Sequence, residues 1–515
     1  MPNRFTDTLF QLVHSLEKAE KRNFKLYIKR NSANTDLKII ELFDALDKMD
    51  NYDEAVLLKK LSSIQKPQLA NVKTHLYKQL LASMRLLKST SSIDMQLNEQ
   101  LDYARILYNK GLYNQSLKIL EKLKDTAKEH YKYNFLTQVI SWEKKIESLH
   151  ITRSMQDRSN HLSHEAIEVN ARVDIVARMS NLALQLYSWY IKNGHARNEK
   201  DELAIKKFFA VNLPSSAHKQ TGFYERLYLY QCYCWYAFIR QDFLQYYRYG
   251  QKWVNIFNEQ PLMIKVETGF YIKGMHNLLN AHFDLRNYRA FDETLQAFKD
   301  FSATTIATMH DNHRVQTFVY IYSATINQHF MLGTFEQGLK LVPILEKKLE
   351  EYSLFLDSHR ILVFTYKIAN LNFGSGRYGA AIDYLQRIIN SNPDLRSDLQ
   401  CYARLLHLMA HYELGNYDIL DSLIKSVYRF MAKMQNLTIV EDLMFKFLRN
   451  SFRYSRSELK QELKKFLVNI KQLERNRFQT RTFAYLDIIS WLESKVNEKP
   501  LHQVIRDKYL ESRHR

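Results

Sequence analysis

The sequence predicts an all-α protein, organised as an α-solenoid of stacked antiparallel helical hairpins with helical regions at both ends. Only 12 Gly and 7 Pro occur among 515 residues, whereas sheets with tight hairpins require more turn residues. Helix-forming Leu, Lys, Glu and Gln recur throughout the chain. A turn pattern also repeats, and internal periods of about 20–50 residues indicate stacked supersecondary units.

The repeated turn places a helix-breaking residue two positions before an aromatic residue and five before a position that is usually small or apolar. Six copies occur, at Gly111/Tyr113/Ser116, Gln241/Phe243/Tyr246, Arg286/Tyr288/Phe291, Gly333/Phe335/Gly338, Gly376/Tyr378/Ala381 and Gly415/Tyr417/Leu420. From the second copy onward, successive turns lie 45, 47, 43 and 39 residues apart. The longer gap after the first copy leaves room for two more, one of them at Asn193–Gly194.

The clearest copy surrounds Gly376. Before this turn, Phe364 and Ile368 lie on one face of a predicted helix, and after it Ala381 and Leu385 share a face of a second helix. Glycine tolerates the positive φ that ends the first helix, and the small Ala381 allows the two helices to approach closely. We therefore predict two amphipathic helices that face each other across a short loop.

Gly376, Tyr378, Ala381 and Pro393 match, position by position, the tetratricopeptide-repeat pattern of Gly, Tyr, Ala and a closing Pro. Over residues 101–434 the chain resembles a tetratricopeptide-repeat protein with degenerate repeats, of an uncharacterised bacterial type. The resemblance implies a right-handed α-solenoid whose concave face binds a peptide or helix of another protein. It implies no reaction.

Three positions depart from the family pattern: Gln241, Arg286 and Gly338. The spacing also exceeds the family period of about 34 residues, and Pro343 falls inside a predicted second helix. Helix lengths in this chain are therefore expected to differ from those of regular repeats.

We predict three regions: a helical amino-terminal region (1–95), degenerate repeats (96–440) and a basic helical cap (441–515). Ser455 and Glu458 have the spacing of a capping box, which predicts the start of a helix. A cap with a polar outer face is what the end of a solenoid requires.

The net charge of +19 favours acidic partners, and the strongest basic feature lies in residues 446–481, with eleven basic and three acidic residues. Its first six members, at spacings of 3 and 4 compatible with one helix face, are Lys446, Arg449, Arg453, Arg456, Lys460 and Lys464. Such a face could contact phosphates while interleaved aromatic residues stack on bases. The predicted cap at Ser455 interrupts the face, however, and a solvated outer helix surface is the alternative.

A second basic candidate is a helix in the amino-terminal region that carries Lys73, Lys78, Arg85 and Lys88. It follows two shorter helices, an order compatible with a trihelical nucleic-acid module. The alternative is an ordinary solvent-facing helix surface.

Enzymatic motifs are missing from the sequence: there is no G-x-S-x-G, no phosphate loop and no kinase-like H-R-D. A literal G-x-G-x-x-G at Gly374, Gly376 and Gly379 falls within a repeat turn and lacks a preceding strand. His407 and His411 have the spacing of metal ligands, but the intervening H-E-x-x-H pattern is absent. We therefore predict a non-enzymatic protein without cofactor or metal.

The three cysteines, Cys232, Cys234 and Cys401, are too few for a disulfide framework, and we expect buried, inert thiols. The amino terminus lacks the apolar core of a secretory signal. The most apolar run, residues 228–239, is shorter than the roughly 20 residues of a membrane-spanning helix. These features predict a cytoplasmic protein with no membrane span.

The main functional hypothesis is a scaffold or adaptor that binds a partner protein or peptide in the solenoid groove. First helices of the repeats should line that groove. Candidate contact residues are Arg360, Lys367, Asn370, Arg404 and His411, together with Asn327 and Asn372. The alternatives are nucleic-acid or ribonucleoprotein binding through the basic carboxy-terminal helices, and a sensor for a small signalling peptide. The sequence carries no signal for the oligomeric state.

Overall fold

The computed structural model describes residues 7–31, 36–61, 63–88, 92–150, 156–353, 355–391, 397–434, 437–474, 476, 478–479 and 481–513. Within these ranges the chain contains α-helices, one short 3₁₀ helix (Ala217–Lys219) and no β-strand. The all-α prediction is therefore confirmed. The chain divides into two compact units, Met1–Val173 (unit 1) and Asp174–Arg515 (unit 2).

Unit 1 contains the helices α1 Thr8–Ser15, α2 Lys18–Asn31, α3 Asp36–Asp47, α4 Glu54–Lys60, α5 Lys66–Lys88, α6 Ile93–Asn109, α7 Tyr113–Glu129 and α8 Tyr133–His150. The division between the units falls within α9, Gln156–Asn193. Unit 2 continues with α10 Glu199–Asn212, α11 Phe223–Ile239, α12 Phe243–Glu259, α13 Leu262–Val266, α14 Thr268–Asp284, α15 Tyr288–Ser302, α16 Thr305–Thr308, α17 Asp311–Leu332, α18 Phe335–Leu339, α19 Val342–Glu351, α20 Ser358–Gly374, α21 Tyr378–Ile389, α22 Ser397–Glu413 and α23 Tyr417–Lys433. Its last helices are α24 Ile439–Ser451, α25 Arg456–Glu474, α26 Arg481–Tyr485, α27 Ile488–Val496 and α28 Leu501–Arg513.

All six predicted turns are confirmed by a left-handed backbone at their first residue. The values of φ are 76° at Gly111, 56° at Gln241, 52° at Arg286, 68° at Gly333, 79° at Gly376 and 72° at Gly415. Gly194 also has a positive φ, 70°, as proposed for an additional turn. Gln241 and Arg286 adopt this conformation although they are not glycines, which costs an L-residue roughly 1–2 kcal/mol.

Each of the six turns ends its first helix with the same hydrogen bond. The N–H of the residue after the left-handed position donates to the carbonyl five residues earlier, at 2.9–3.1 Å. The bond from Arg377 to Asn372 is an example. This is the Schellman arrangement, which satisfies carbonyl groups that the end of a helix leaves unpaired. The same bond follows Tyr131 and Glu498, two left-handed positions that the sequence pattern does not predict.

The helices on either side of each turn pack against each other, and within unit 2 each hairpin packs against the next in the chain. In unit 2, α11 contacts α12, α14 contacts α15, and α20 contacts α21. The first helices also contact one another, α14 with α17, α17 with α20, and α20 with α22. Unit 2 therefore contains a series of helical hairpins in which neighbours share their apolar faces, consistent with a helical repeat.

The hairpin at Gly376 has the predicted core, with Phe364, Ile368, Ala381 and Leu385 all buried. Its second helix ends at Ile389. Pro393, predicted to close that helix, lies outside the described residues.

Pro343 divides the second helix of the hairpin at Gly333 into α18 and α19. Pro343 lies in the first turn of α19, where the N–H that proline lacks would have no partner within the helix. The proline is thus accommodated by starting a new helix.

The carboxy-terminal helices pack back onto the hairpins of unit 2. Trp491 and Leu492 of α27 belong to the same apolar core as residues of α20 to α25. Helix α28 contacts α17, and a Cβ atom on Gly333 would lie 2.4 Å from the carbonyl oxygen of His502. Glycine at position 333 therefore serves both the left-handed turn and the close approach of α28.

The helix start predicted at Ser455 is confirmed. The N–H of Ser455 donates to Glu458 Oε2 at 2.8 Å, and the N–H of Glu458 donates to Ser455 Oγ at 3.4 Å. These reciprocal bonds form a capping box at the first residues of α25.

Candidate ligand-binding cavity

Unit 2 contains a cavity of about 300 Å³ between the first helices of its hairpins and its carboxy-terminal segment. Helices α11, α14, α17, α20 and α22 supply most of the lining side chains, and further ones come from residues 483–505. A volume near 300 Å³ lies at the lower end of the range for small-ligand sites.

Four phenylalanines that line the cavity occupy the same position of successive hairpins. Phe238, Phe283, Phe330 and Phe373 each lie three residues before the left-handed residue of their turn. A helix repeats every 3.6 residues, so equivalent positions in equivalently packed helices face the same side. We call these four residues the aromatic row.

Three asparagines of the cavity wall show the same regularity. Asn280, Asn327 and Asn370 each lie six residues before the left-handed residue, in α14, α17 and α20. Positions three residues apart lie on one helix face, so the asparagines adjoin the aromatic row. We call them the asparagine row.

Each asparagine of this row uses one side-chain group within the protein. Asn280 Nδ2 lies 3.1 Å from His276 Nε2, and Asn370 Nδ2 donates to the Tyr366 carbonyl at 2.9 Å. Asn327 Oδ1 accepts from Lys367 Nζ. Within the described part of the chain, Asn280 Oδ1, Asn327 Nδ2 and Asn370 Oδ1 have no hydrogen-bond partner, so a donor and two acceptors remain for a ligand.

Lys367 is a partly buried cation of the cavity wall without an acidic partner in the described residues. Its Nζ contacts Asn327 and lies 5.7 Å from the centre of the Phe330 ring. Burial lowers the pKa of Lys367 to about 7, because an ammonium group loses hydration in this environment. Lys273 and Arg360 contribute to the same positive region, since burial and then Lys273, Lys367 and Arg360 lower the pKa of His276.

Asp284 is an acidic residue of the same cavity wall, opposite in charge to Lys367. It has no ion pair or side-chain hydrogen bond with the residues that the structure describes. Burial raises the pKa of Asp284 to about 7, although nearby Arg286 opposes this shift. The Arg286 guanidinium lies 5.1 Å from the centre of the Phe283 ring. A carboxyl group so placed can accept a hydrogen bond from a ligand, or form an ion pair with a positively charged group of the ligand.

The carboxy-terminal segment is held on the cavity by aromatic and polar contacts. Tyr485 stacks on Tyr402 with ring centres 4.3 Å apart, and its carbonyl accepts a hydrogen bond from Tyr366 Oη at 3.2 Å. Trp491 Nε1 donates to Glu413 Oε1 at 2.6 Å. These contacts hold the segment against the hairpins, where it lines the cavity.

The structure places two of the five predicted partner-binding residues, Lys367 and Asn370, in this cavity wall. Arg360, Arg404 and His411 do not line it. Of the two further asparagines, Asn327 lines the cavity, whereas Asn372 is buried and donates to the Ile368 carbonyl at 2.9 Å.

The three predicted residues outside the cavity have protein partners. Arg360 Nε lies 4.0 Å from Asp357 Oδ2. The Arg404 guanidinium lies 3.8 Å from the centre of the Phe430 ring and donates to the Gln400 carbonyl at 3.1 Å. His411 Nδ1 lies 2.9 Å from Asn416 Nδ2, next to the turn at Gly415.

Sequence reasoning missed Asn280, Asp284 and the aromatic row. The signal that could have found most of them is the constant offset from the turn: aligning the turns by their left-handed residue also aligns the phenylalanines and the asparagines. Asp284 has no such signal, since Met331 and Gly374 occupy its position in the next two hairpins.

The six residues of the predicted basic patch are exposed but do not share one helix face. Lys446 and Arg449 belong to α24, Arg453 lies in the following turn, and the other three, Arg456, Lys460 and Lys464, belong to α25. The expectation of a single face is wrong because the chain reverses at the capping box of Ser455.

Acidic neighbours also reduce the free charge of this patch. Lys446 pairs with Asp442 at 2.7 Å and Lys460 with Glu498 at 2.9 Å. The other four patch residues have no ion pair in the described ranges. Arg475 and Arg477 lie outside the described residues.

The amino-terminal basic candidate is largely neutralised within unit 1. Lys73 contacts Asp7, Arg85 lies 3.3 Å from Asp102, and Lys88 lies 2.7 Å from Glu20. Of the four candidate residues, only Lys78 has no ion pair within the described part of unit 1. A solvent-facing helix surface explains this pattern better than a nucleic-acid module.

No group of three or more His, Cys, Asp or Glu in the described residues is arranged to hold a metal ion. The rings of His407 and His411 lie edge to face, 4.5 Å apart. Cys232, Cys234 and Cys401 are buried, and burial raises the pKa of the Cys232 and Cys234 thiols.

Among the helices of the described residues, none combines the length and the apolar character needed to span a lipid bilayer.

Comparison with known proteins places the chain in no family. It matches no protein-family model, no curated protein matches it, and no solved structure does so.

Proposed function

We propose that unit 2 binds an extended segment of another polypeptide in the cavity between its hairpins and its carboxy-terminal segment. In this proposal the hairpins form a tetratricopeptide-like α-solenoid, and the protein is a cytoplasmic, non-enzymatic scaffold or adaptor. The observation that carries it is the recurrence of phenylalanine and asparagine at fixed offsets from the turn, on one cavity wall.

An asparagine row suits the main chain of a ligand. A primary amide both donates and accepts, so it can pair with peptide N–H and C=O groups whatever side chains the ligand carries. Neighbouring packed helices lie about 8–10 Å apart, and an extended chain advances about 3.3 Å per residue. One asparagine per hairpin therefore corresponds to about three ligand residues.

The aromatic row supplies the apolar part of the same site. Phenylalanine rings gain free energy when they cover the apolar side chains of a ligand, and aromatic residues often dominate binding energy at interfaces. The combination favours a peptide with apolar side chains over a strongly charged polymer.

The test places a photoreactive amino acid at Val363, which lines the cavity, and crosslinks the protein in native lysate. Synthetic peptides from the captured region are then titrated against the wild-type chain and an Asn280/Asn327/Asn370 triple alanine variant. We expect the triple variant to lose at least tenfold in affinity, since each lost hydrogen bond contributes about 0.5–1.5 kcal/mol.

The matched control is Asn312→Ala, an exposed asparagine on α17, the helix that carries Asn327. It should bind the peptides as the wild type does. Equal affinity of the triple variant and the wild type would refute the role of the asparagine row, and crosslinks that depend on intact RNA would refute a peptide ligand.

A second candidate function is nucleic-acid binding at the carboxy-terminal basic residues. It is favoured by four exposed cations without an ion pair in the described ranges, Arg449, Arg453, Arg456 and Lys464, and by the exposed ring pair of Tyr417 and Phe452, 6.1 Å apart. Exposed rings near free arginines can stack on bases.

Salt dependence separates this candidate from the first. Affinity for single-stranded nucleic acid should fall steeply with salt, by about 0.7 in log–log slope per phosphate contact, and an Arg449/Arg453/Arg456 triple alanine variant should remove most of it. Unchanged binding by that variant would exclude this surface.

A further inference from the structure

One ammonium group of the cavity wall lies where the asparagine row meets the aromatic row. Lys367 Nζ contacts Asn327 Oδ1 and lies 5.7 Å from the centre of the Phe330 ring. Asn327 is the middle member of the asparagine row, and its helix contacts both the helix of Asn280 and that of Asn370. A ligand main chain that follows the row therefore passes beside Lys367 and continues beyond it.

The hydrogen-bonding capacity of Lys367 is only partly used within the protein. An ammonium group has three N–H donors, and in the described residues Asn327 Oδ1 is the one acceptor that Lys367 Nζ contacts. Of the two carboxyl groups in the cavity wall, Asp284 forms no ion pair with Lys367 in this part of the chain, and Asp487 instead caps α27 through Ser490, at 3.0 and 2.7 Å. Two donors and one positive charge therefore remain for a ligand group.

Further basic side chains add to the positive charge on this side of the cavity. Lys273, Lys367 and Arg360 all lie close enough to His276 to lower its pKa, after the larger effect of burial. Lys273 has no ion pair among the described residues, and Arg360 lies 4.0 Å from the exposed Asp357. Excess positive charge of this kind favours an anionic group on the ligand.

We propose that the polypeptide segment bound in this cavity carries an aspartate or glutamate side chain that pairs with Lys367. The inference rests on the proposed function and names a feature of the segment. The carboxylate belongs to a side chain and not to a chain end, because the asparagine row extends past Asn327 in both directions. Since Lys367 lies beside the Phe330 ring, the residues next to the acidic one are apolar.

The first experiment selects a phage-displayed library of random dodecapeptides on the full chain. The peptides are fused to the coat protein at their carboxyl ends, so the carboxylates within them belong to side chains. On the wild type we expect the enriched sequences to share an Asp or Glu among apolar residues. Lys367→Met should remove this preference, and Lys367→Glu should replace it by a preference for Lys or Arg, because like charges repel and opposite charges attract.

Two matched controls keep the cavity intact. Lys347→Met and Asp383→Asn change exposed positions of unit 2 outside the cavity wall. Both should select the same sequences as the wild type.

Isothermal titration then measures the pairing with the enriched peptide, synthesised with acetylated and amidated ends. Replacing its acidic residue by the matching amide should weaken binding to the wild type at least tenfold, since a charge-assisted hydrogen bond is about twice as strong as a neutral one. The same replacement should change binding to Lys367→Met by no more than about twofold, because the partner of the carboxylate is then absent.

Three results would overturn the inference. They are enriched sequences without an acidic residue, an equal effect of the amide replacement on the wild type and on Lys367→Met, and tighter binding of a phosphoserine peptide than of the acidic one, which would assign the site to phosphate.

The proposed function is judged separately by the segments crosslinked at Val363, in which each acidic residue is also replaced by its amide. If those segments depend on the asparagine row but not on an acidic residue, the proposed function stands and the pairing with Lys367 fails. If neither the library nor the crosslinking yields a bound peptide, both are refuted.

Discussion

The buried charges around Lys124 in unit 1 and those of the cavity in unit 2 differ in their pairing. In unit 1, Lys124 is nearly buried and contacts both Glu143 and Glu165, the latter at 2.7 Å. In unit 2, Asp284 and Lys367 line one cavity without an oppositely charged partner in the described residues. Both sites place charge away from water, but only the cluster around Lys124 neutralises it, although other buried carboxylates of unit 2, such as Glu202 with Arg240, do have ion pairs.

The contrast distinguishes charges that pair within the protein, such as Glu165, from charges that could pair with a ligand, such as Asp284 and Lys367. Burial opposes ionisation of Glu165, yet hydrogen bonds from Lys124 and Lys128 outweigh it, and the pKa of Glu165 is lowered. At the two cavity residues of unit 2, burial is the largest influence on the pKa. It raises the pKa of Asp284 and lowers that of Lys367. The lysines of the unit 1 cluster therefore keep Glu165 ionised. Asp284 and Lys367 have no such partner within the described part of the protein, and a ligand could supply one.

The largest expected effect is the loss of the cation in the unit 1 network. Lys124→Met leaves Glu143 and Glu165 buried near each other with less positive charge, and breaking such a pair costs about 3–5 kcal/mol. We expect this decrease in the free energy of unfolding, measured by urea denaturation followed by circular dichroism.

Lys128→Met is the matched control, because Lys128 contacts Glu165 at 2.6 Å but its side chain is 50% exposed. Its cost should stay below about 1 kcal/mol, as for other exposed ion pairs. Similar costs for the two variants would mean that burial does not distinguish these lysines.

A second comparison concerns glycine turns in the two units. Gly333 of unit 2 and Gly111 of unit 1 both have a positive φ, but a Cβ at Gly333 would meet the backbone of α28, whereas one at Gly111 meets nothing within 4 Å. We expect Gly111→Ala to cost about 1 kcal/mol from backbone strain alone. Gly333→Ala should cost about 3 kcal/mol, because overpacking adds to the strain.

Chemical denaturation of the two glycine variants provides the measurement. Equal losses would show that α28 moves away from Gly333 without a cost, and the carboxy-terminal segment would then be only loosely attached to the hairpins.

Removing either cavity charge should change the free energy of unfolding in the opposite direction to removing Lys124. Asp284→Asn and Lys367→Met are each expected to raise the free energy of unfolding at pH 7, by on the order of 1 kcal/mol, because each removes an unpaired charge. A decrease of similar size would show that these side chains have favourable partners in the folded protein.

The pH dependence of this gain follows from the two pKa shifts. The pKa of Asp284 rises from 3.8 to about 7 on folding, so the folded chain holds the extra proton and stability falls as the pH rises through this window. The gain from Asp284→Asn should therefore grow between about pH 4 and pH 7.

Lys367 behaves in the reverse way. Its pKa falls from 10.5 to about 7, so the unfolded chain holds the extra proton and stability rises with pH between these values. The gain from Lys367→Met should be largest at pH 7 and below, and should vanish above about pH 10.5. Urea denaturation at several pH values, with Asp383→Asn as control, checks both trends.

The last prediction concerns the rate of thiol labelling, which should respond selectively to changes in unit 2. Cys232, Cys234 and Cys401 all lie buried in unit 2, so a thiol reagent reports the opening of that unit. Gly333→Ala should accelerate labelling in native buffer, whereas Gly111→Ala in unit 1 should change it much less. Equal acceleration by both variants would mean that the thiols do not report unit 2 alone.

Much of the fold could be predicted from the sequence because turns are local. The spacing of a helix breaker, an aromatic and a small residue located all six left-handed positions, including Gln241 and Arg286, where no glycine signals the conformation. The capping box at Ser455 could be found for the same reason, since its two partners are three residues apart.

The candidate site was only partly predictable, as Lys367 and Arg404 illustrate. Both are basic residues on first helices with the same polar appearance in the sequence. One lines the cavity, and the other packs on Phe430 and bonds to Gln400. Helical periodicity gives the faces of a helix but does not say which face meets a ligand and which meets another helix.

By itself the sequence determined the helical class, the positions of the hairpin turns and the start of α25, because each depends on residues within a few positions of one another. Tertiary structure alone decided the cavity, the pairing of the charges and the return of α27 and α28 onto the hairpins. Tyr366 and Tyr485 are 119 residues apart yet share a hydrogen bond. Contacts of that range depend on how whole helices pack, so no local pattern encodes which charges stay unpaired.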